Sequence, residues 1–215
     1  MSGAAGHRPS LVSRAVHRLL VALYRSRGWR IEGARPPVDK CVVLGAPHTS
    51  NWDFVFVLGA VEELGMTPAF IGKHTLFRWP MTRFMHDMGG VPVDRGKTRN
   101  FVEQVADAFA AADELALVIA PEGSRSSPGT WRSGFYHIAM AAGVPIVPAW
   151  VDHERMRGGI GPAIVPTGDY PADLARIAAF YRGKRPDCDR FVRLEESARA
   201  LAEQASSGQP PEPRR

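Results

Sequence analysis

In the stretch PHTSNWDF, residues 47–54, one histidine stands five positions ahead of one aspartate. A carboxylate bonded to one ring nitrogen fixes the tautomer of an imidazole and leaves the other nitrogen free to act as a general base. Linear spacing does not bring His48 and Asp53 together, but a bend between a strand and a helix would. The plainer alternative is that Asp53 answers the positive end of a helix starting there, with Asn51 as its cap and His48 as a polar loop residue. Taken alone, the two residues fit that alternative better.

Two further stretches shift the balance. APEGSRSSPG, residues 120–129, ends an apolar run with Glu122, Gly123, Ser124 and Arg125, a composition suited to an anion-receiving loop. GGVPVDRG, residues 89–96, ends another run with Asp94 and Arg95. Either arginine by itself reads as a surface ion pair. Together, at the ends of strands that would lie side by side, they point to a phosphate site beside a general base, because a guanidinium grips phosphate with two parallel hydrogen bonds.

Other chemistries find less support. Gly90 and Gly96 are separated by five residues, one too many for a phosphate loop of the G-x-x-x-x-G-K-[ST] type. His74, His86, His137 and His153 show no ligand-like spacing, so no metal is expected. Ser124, Ser126 and Ser127 lack the G-x-S-x-G elbow of a serine hydrolase. Trp131 and Phe135 fit either a substrate groove or the core.

The elements that must position these groups alternate in type. CVVLGA (41–46), TPAFIG (67–72), GVPVD (90–94), LALVIAP (115–121) and VPIVPAWV (144–151) read as strands. WDFVFVLGAVEELG, PMTRFMHDMGG, RNFVEQVADAFAAAD and GFYHIAMAAG between them read as helices. This predicts an α/β fold with a mainly parallel central sheet flanked by helices, and ligands beyond the carboxyl ends of its strands. GWRIEGARPPVD reads as a turn, GIGPAIVP as a candidate edge strand, and two helices follow before a polar tail.

Charge is uneven along the chain. Residues 1–40 carry eight Lys and Arg against Glu32 and Asp39, a net +6 in a chain of net +5. Within them, Leu11, Val12, Ala15, Val16, Leu19, Leu20 and Leu23 recur at helical spacing with Arg14, Arg18 and Arg25 mostly on other faces. This N-terminal basic amphipathic helix suits an anionic membrane surface, or equally a helix docked on the domain with its arginines in water. A nucleic-acid partner is not expected, because no aromatics interleave with the basic residues. No run is long and apolar enough to span a bilayer, and no apolar signal core opens the chain. Two distant cysteines, Cys41 and Cys188, fit a reducing compartment.

At this point the ordered blocks carry a resemblance. His48 to Asp53 as H-x-x-x-x-D, GGVPVDR, PEGSRS and VPIVPAW resemble the four blocks of the glycerolipid acyltransferases, the 1-acylglycerol-3-phosphate acyltransferase family, with GWRIEG upstream also typical. The resemblance spans residues 45–151 and implies direct acyl transfer from a thioester, acyl-CoA or acyl-carrier protein, to a lipid hydroxyl, with no cofactor. By position, His48 would deprotonate the acceptor and Asp53 orient it. Arg95 and Arg125 would hold an acceptor phosphate, with Glu122 and Gly123 shaping the loop and, with Ser124, aiding acceptor binding, and Lys73 standing where relatives often have a lysine pair. Pro47 replaces a common Asn and Ala120 an aromatic, departures that spare the dyad and both arginines and resemble a compact branch without membrane spans.

The resemblance thus implies a lysophospholipid acceptor, lysophosphatidic acid first. The alternatives are a non-phosphorylated amino-lipid or glycolipid hydroxyl, or a lipid-binding module without turnover. The expected organisation is a helix and linker over 1–40, an acyltransferase domain over 41–205 and a disordered tail over 206–215. The expected location is cytoplasmic, on the inner face of the membrane.

Overall fold

The computed structural model describes residues 9–50, 52–93, 101–123 and 131–207, without the side chains of Phe54 and Lys73. Seven strands form one sheet. They are β1 (Arg30–Glu32), β2 (Lys40–Ala46), β3 (Pro68–Lys73), β4 (Gly90–Val93), β5 (Leu115–Ile119), β6 (Ile146–Asp152) and β7 (Arg157–Ile160). Across the sheet they run β1-β7-β6-β2-β5-β3-β4. Every neighbouring pair is parallel except β6 with β7.

β2 lies at the centre, flanked by β5 and β6. Its continuous apolar run suits that place, because a central strand of a covered parallel sheet is buried on both faces. Val42, Leu44 and Ala46 meet the larger core, built from α4 (Phe101–Ala111), α5 (Gly134–Ala142), α6 (Tyr170–Lys184) and α7 (Asp189–Ser207). Tyr181 of α6 is fully buried there and donates its hydroxyl to the carbonyls of Leu44 at 2.7 Å and Ala149 at 3.3 Å. Cys41 and Val43 face the opposite layer, where α2 (Trp52–Glu63) and α1 (Leu11–Ser26) stack. A short 3-10 helix (His74–Phe77) and α3 (Thr82–Asp87) connect β3 to β4.

The predicted α/β architecture is the one observed, with two local differences. Arg30–Glu32, read as part of a turn, is an edge strand parallel to β7. GIGPAIVP, read as a candidate edge strand, overlaps β7 only at Gly159 and Ile160; β7 lies one place in from the edge, between β1 and β6, and Ile164 makes a single bridge to Ile146. Three residues paired only at an edge give too short a periodicity to read from sequence.

α1 docks on α2 through Tyr24, which packs on Phe56 and Ala60 and donates its hydroxyl to Glu63 at 2.8 Å; Ser13, Val21 and Tyr24 are buried. Its N-terminus is fixed to α3, since the Ser10 amide and the Ser13 hydroxyl donate to Asp87 Oδ2 at 2.8 and 2.6 Å. The docked face is not the apolar stripe. Leu11, Val12 and Leu19 are 76, 67 and 68 % exposed, and Arg14, Arg18 and Arg25 are exposed too.

Gly59 of α2 lets the two helices approach, for any Cβ there would overlap the Tyr24 ring. Alanine normally improves a helix interior over glycine by about 1 kcal/mol. Gly59→Ala is nevertheless expected to destabilise the protein by about 1–2 kcal/mol in urea unfolding, because overpacking outweighs that preference. An unchanged or raised midpoint would mean that α1 is not held by this contact.

Candidate active site

The carboxyl ends of β2, β5 and β6 lie on one edge of the sheet because the three strands are parallel. β2 ends at Ala46, the Ala46–Pro47 peptide bond is cis, and His48 follows. The chain then bends into α2, where Ser50 Oγ accepts from the Trp52 amide at 3.1 Å. Asn51, the expected cap of α2, lies outside the described residues.

Asp53, in the first turn of α2, is the point on which this bend closes. Its Oδ2 accepts from the Thr49 and Ser50 amides at 2.9 and 3.1 Å and meets His48 Nδ1 at 2.8 Å. Its Oδ1 meets Nε2 of His153, the residue after β6, at 2.5 Å. Asp53 is only 8 % exposed. Burial pushes its carboxyl upward, but the His153 hydrogen bond and the Ser50 and Thr49 amides outweigh burial and hold it below the usual carboxylate range.

A carboxylate can only accept hydrogen bonds. His48 therefore carries a proton on Nδ1, and Nε2 is its free basic nitrogen. The same argument puts a proton on Nε2 of His153.

The pair opens onto an apolar cavity of about 230 Å³ between α2 and the sheet, lined in part by Gly45, Pro47, Phe56, Val57, Phe70, Met88 and Val118. A smaller void of about 40 Å³ continues past Phe56 and Val57 towards Leu64, Met66 and Ile160. Trp131 and Phe135 line neither; both are buried in the larger core, edge-on to each other at 5.9 Å.

The loop after β5 turns at Glu122 and Gly123. Gly123 has φ of 68°, in the left-handed region, and a Cβ there would press on the Arg132 side chain at 3.1 Å. The Glu122 carboxylate points inward, 1 % exposed, and pairs with Arg190 of α7. Its Oε1 has no hydrogen-bond partner among the described residues. Burial lifts the Glu122 carboxyl above its usual range, only partly offset by Arg190 and the His48 main chain nearby. Glu122 thus braces the loop against α7 and the His48 segment.

Arg95, Ser124 and Arg125 lie outside the described residues, as does the Lys73 side chain. His153 was set aside on sequence for lacking ligand spacing. The available signal was its place immediately beyond an apolar strand that ends on the same edge as His48.

Residues 30–152 match the family model described as Acyltransferase, which covers more than half of the chain. The 1-acyl-sn-glycerol-3-phosphate acyltransferase of Haemophilus influenzae is 27% identical over 144 residues, 62% of this chain and 58% of that protein. Proteins of the same name are 29% identical over 115 residues in Salmonella typhimurium, 50% of this chain and 45% of that one, and over 113 residues in Escherichia coli, 49% and 44%. The chain thus spans about half the length of the curated relatives it matches. The matched segment holds β1 to β6 with both His48 and Asp53, and this chain belongs to the acyltransferase family.

Proposed function

We propose that the protein transfers a fatty acyl group from a CoA or acyl-carrier-protein thioester to a hydroxyl of a lysophospholipid such as 1-acylglycerol-3-phosphate. One arrangement carries this reading: His48 Nδ1 held by Asp53 at 2.8 Å, at the mouth of an apolar cavity of about 230 Å³. The names of the relatives support the same substrate class.

In this scheme the free Nε2 of His48 takes the proton of the acceptor hydroxyl as its oxygen attacks the thioester carbonyl. The tetrahedral adduct collapses, the C–S bond breaks, and His48 returns the proton to the leaving thiolate. Asp53 stays ionised throughout and compensates the imidazolium that forms between the two steps. The acyl chain occupies the apolar cavity. Arg95 and Arg125, with Ser124 and Lys73, hold the acceptor phosphate, and Gly123 gives the loop its turn.

The proposed location is a membrane surface facing the cytoplasm. No helix among the described residues is long and apolar enough to cross a membrane. The exposed Leu11, Val12 and Leu19 of α1 would enter the headgroup region while Arg14, Arg18 and Arg25 meet anionic lipid.

Three measurements test this reading. His48→Ala should lower thiol release from acyl-CoA in the presence of lysophosphatidic acid by about a hundredfold to ten-thousandfold. A variant as fast as wild type would remove His48 as the base. Arg125→Ala should raise KM for phosphate-bearing acceptors by about tenfold, the scale of one lost charged hydrogen bond. An unchanged KM would favour a non-phosphorylated lipid hydroxyl. Leu19→Glu should reduce co-sedimentation with vesicles containing anionic lipid by about tenfold. Vesicle binding without thiol release on any acceptor would favour a lipid-binding module.

A further inference from the structure

The acyl-transfer scheme gives no task to His153, although it holds half of the Asp53 carboxylate. Its Nε2 lies 2.5 Å from Oδ1, the oxygen that His48 does not use. Neither partner of this contact drifts into place by chance of a flexible surface. The turn carrying His153 is fixed by Asp152, 1 % exposed, whose Oδ1 accepts from the Glu154 and Arg155 amides at 3.0 and 3.1 Å. The other Asp152 oxygen pairs with Arg155 at 2.8 Å and with Arg185, the residue after α6, at 3.3 Å. The His153 ring itself stands edge-on to Trp29, centroids 5.3 Å apart at 81°, and Trp29 packs in turn on Phe56 of α2 at 4.8 Å.

We infer that His153 is a positioning residue for the acyl-transfer site: by donating from Nε2 to Oδ1 it orients the Asp53 carboxylate towards His48 Nδ1, in a His–Asp–His relay. The inference rests on the acyl-transfer reading, since the orientation of the carboxylate matters to the rate only if His48 moves a proton. The physical reason is torsional. The terminal torsion of an aspartate is broad, and a carboxylate secured through one oxygen can swivel about it. Donors on both oxygens remove that freedom. The second imidazole also draws on the charge that Asp53 offers to His48.

The groups facing His153 are few. Asp53 approaches from α2 and the uncharged Trp29 from the segment before β1. Asp152, Glu154 and Arg155 belong to its own turn, with Asp152 already engaged by Arg155 and Arg185.

Two variants of the full chain test this. His153→Leu removes the donor, whereas His153→Gln offers an amide N–H at similar reach. With acyl-CoA and lysophosphatidic acid, His153→Leu should lower kcat by about tenfold with little change in either KM. His153→Gln should recover most of kcat. In proton NMR, the downfield Nδ1–H resonance of His48 should persist in wild type and His153→Gln and weaken in His153→Leu. Equal kcat values for the Leu and Gln variants, or an undiminished resonance in His153→Leu, would overturn the inference. Wild-type protein that releases no thiol with any acceptor would instead overturn the acyl-transfer reading, and the resonance would still decide whether His153 holds the pair.

Discussion

Asp53 must keep a negative charge in a place that burial makes hostile to one. An unpaired carboxylate there would take up a proton and cease to orient anything. The solution is four donors on two oxygens: two amides from the loop, and one imidazole from each side. The position of Asp53 in the first turn of α2 adds the favourable end of the helix dipole. Because the donors come from two separate parts of the chain, the loop after β2 and the turn after β6, satisfying this one group at the start of α2 specifies both together.

The sheet makes that convergence possible. β2 and β6 are adjacent and parallel, with Ala46 opposite Trp150, so the segments leaving their carboxyl ends emerge side by side. The bulk of the fold then serves to keep those two strands in register. Tyr181 bridges them from below, its buried hydroxyl donating to a carbonyl of each. Arg185, the residue that ends α6, reaches Asp152 and so ties the same helix to the turn that carries His153.

Much of this was legible in the sequence. The apolar runs of β2 to β6 announced a parallel sheet, and His48 and Asp53 stood out by their place between a strand and a helix. His153 did not, since a hundred residues separate it from Asp53 and only strand adjacency brings them together. β1 was hidden by its shortness. Glu122 was legible as a loop residue, but its inward turn depends on Arg190 of α7, which no local pattern links to it. For α1, periodicity identified an apolar stripe and left its orientation open. The docked face is instead chosen by one tyrosine seated on one glycine.

The stretch between α1 and β1 has a mechanical meaning. Only Arg27, Gly28 and Trp29 separate the end of the basic helix from the first strand, and Trp29 carries on one side the stacked ring of Tyr24 and on the other the edge of His153. Such a short link leaves no slack. The helix that faces outward and the imidazole bonded to Asp53 therefore share one indole as a common wall.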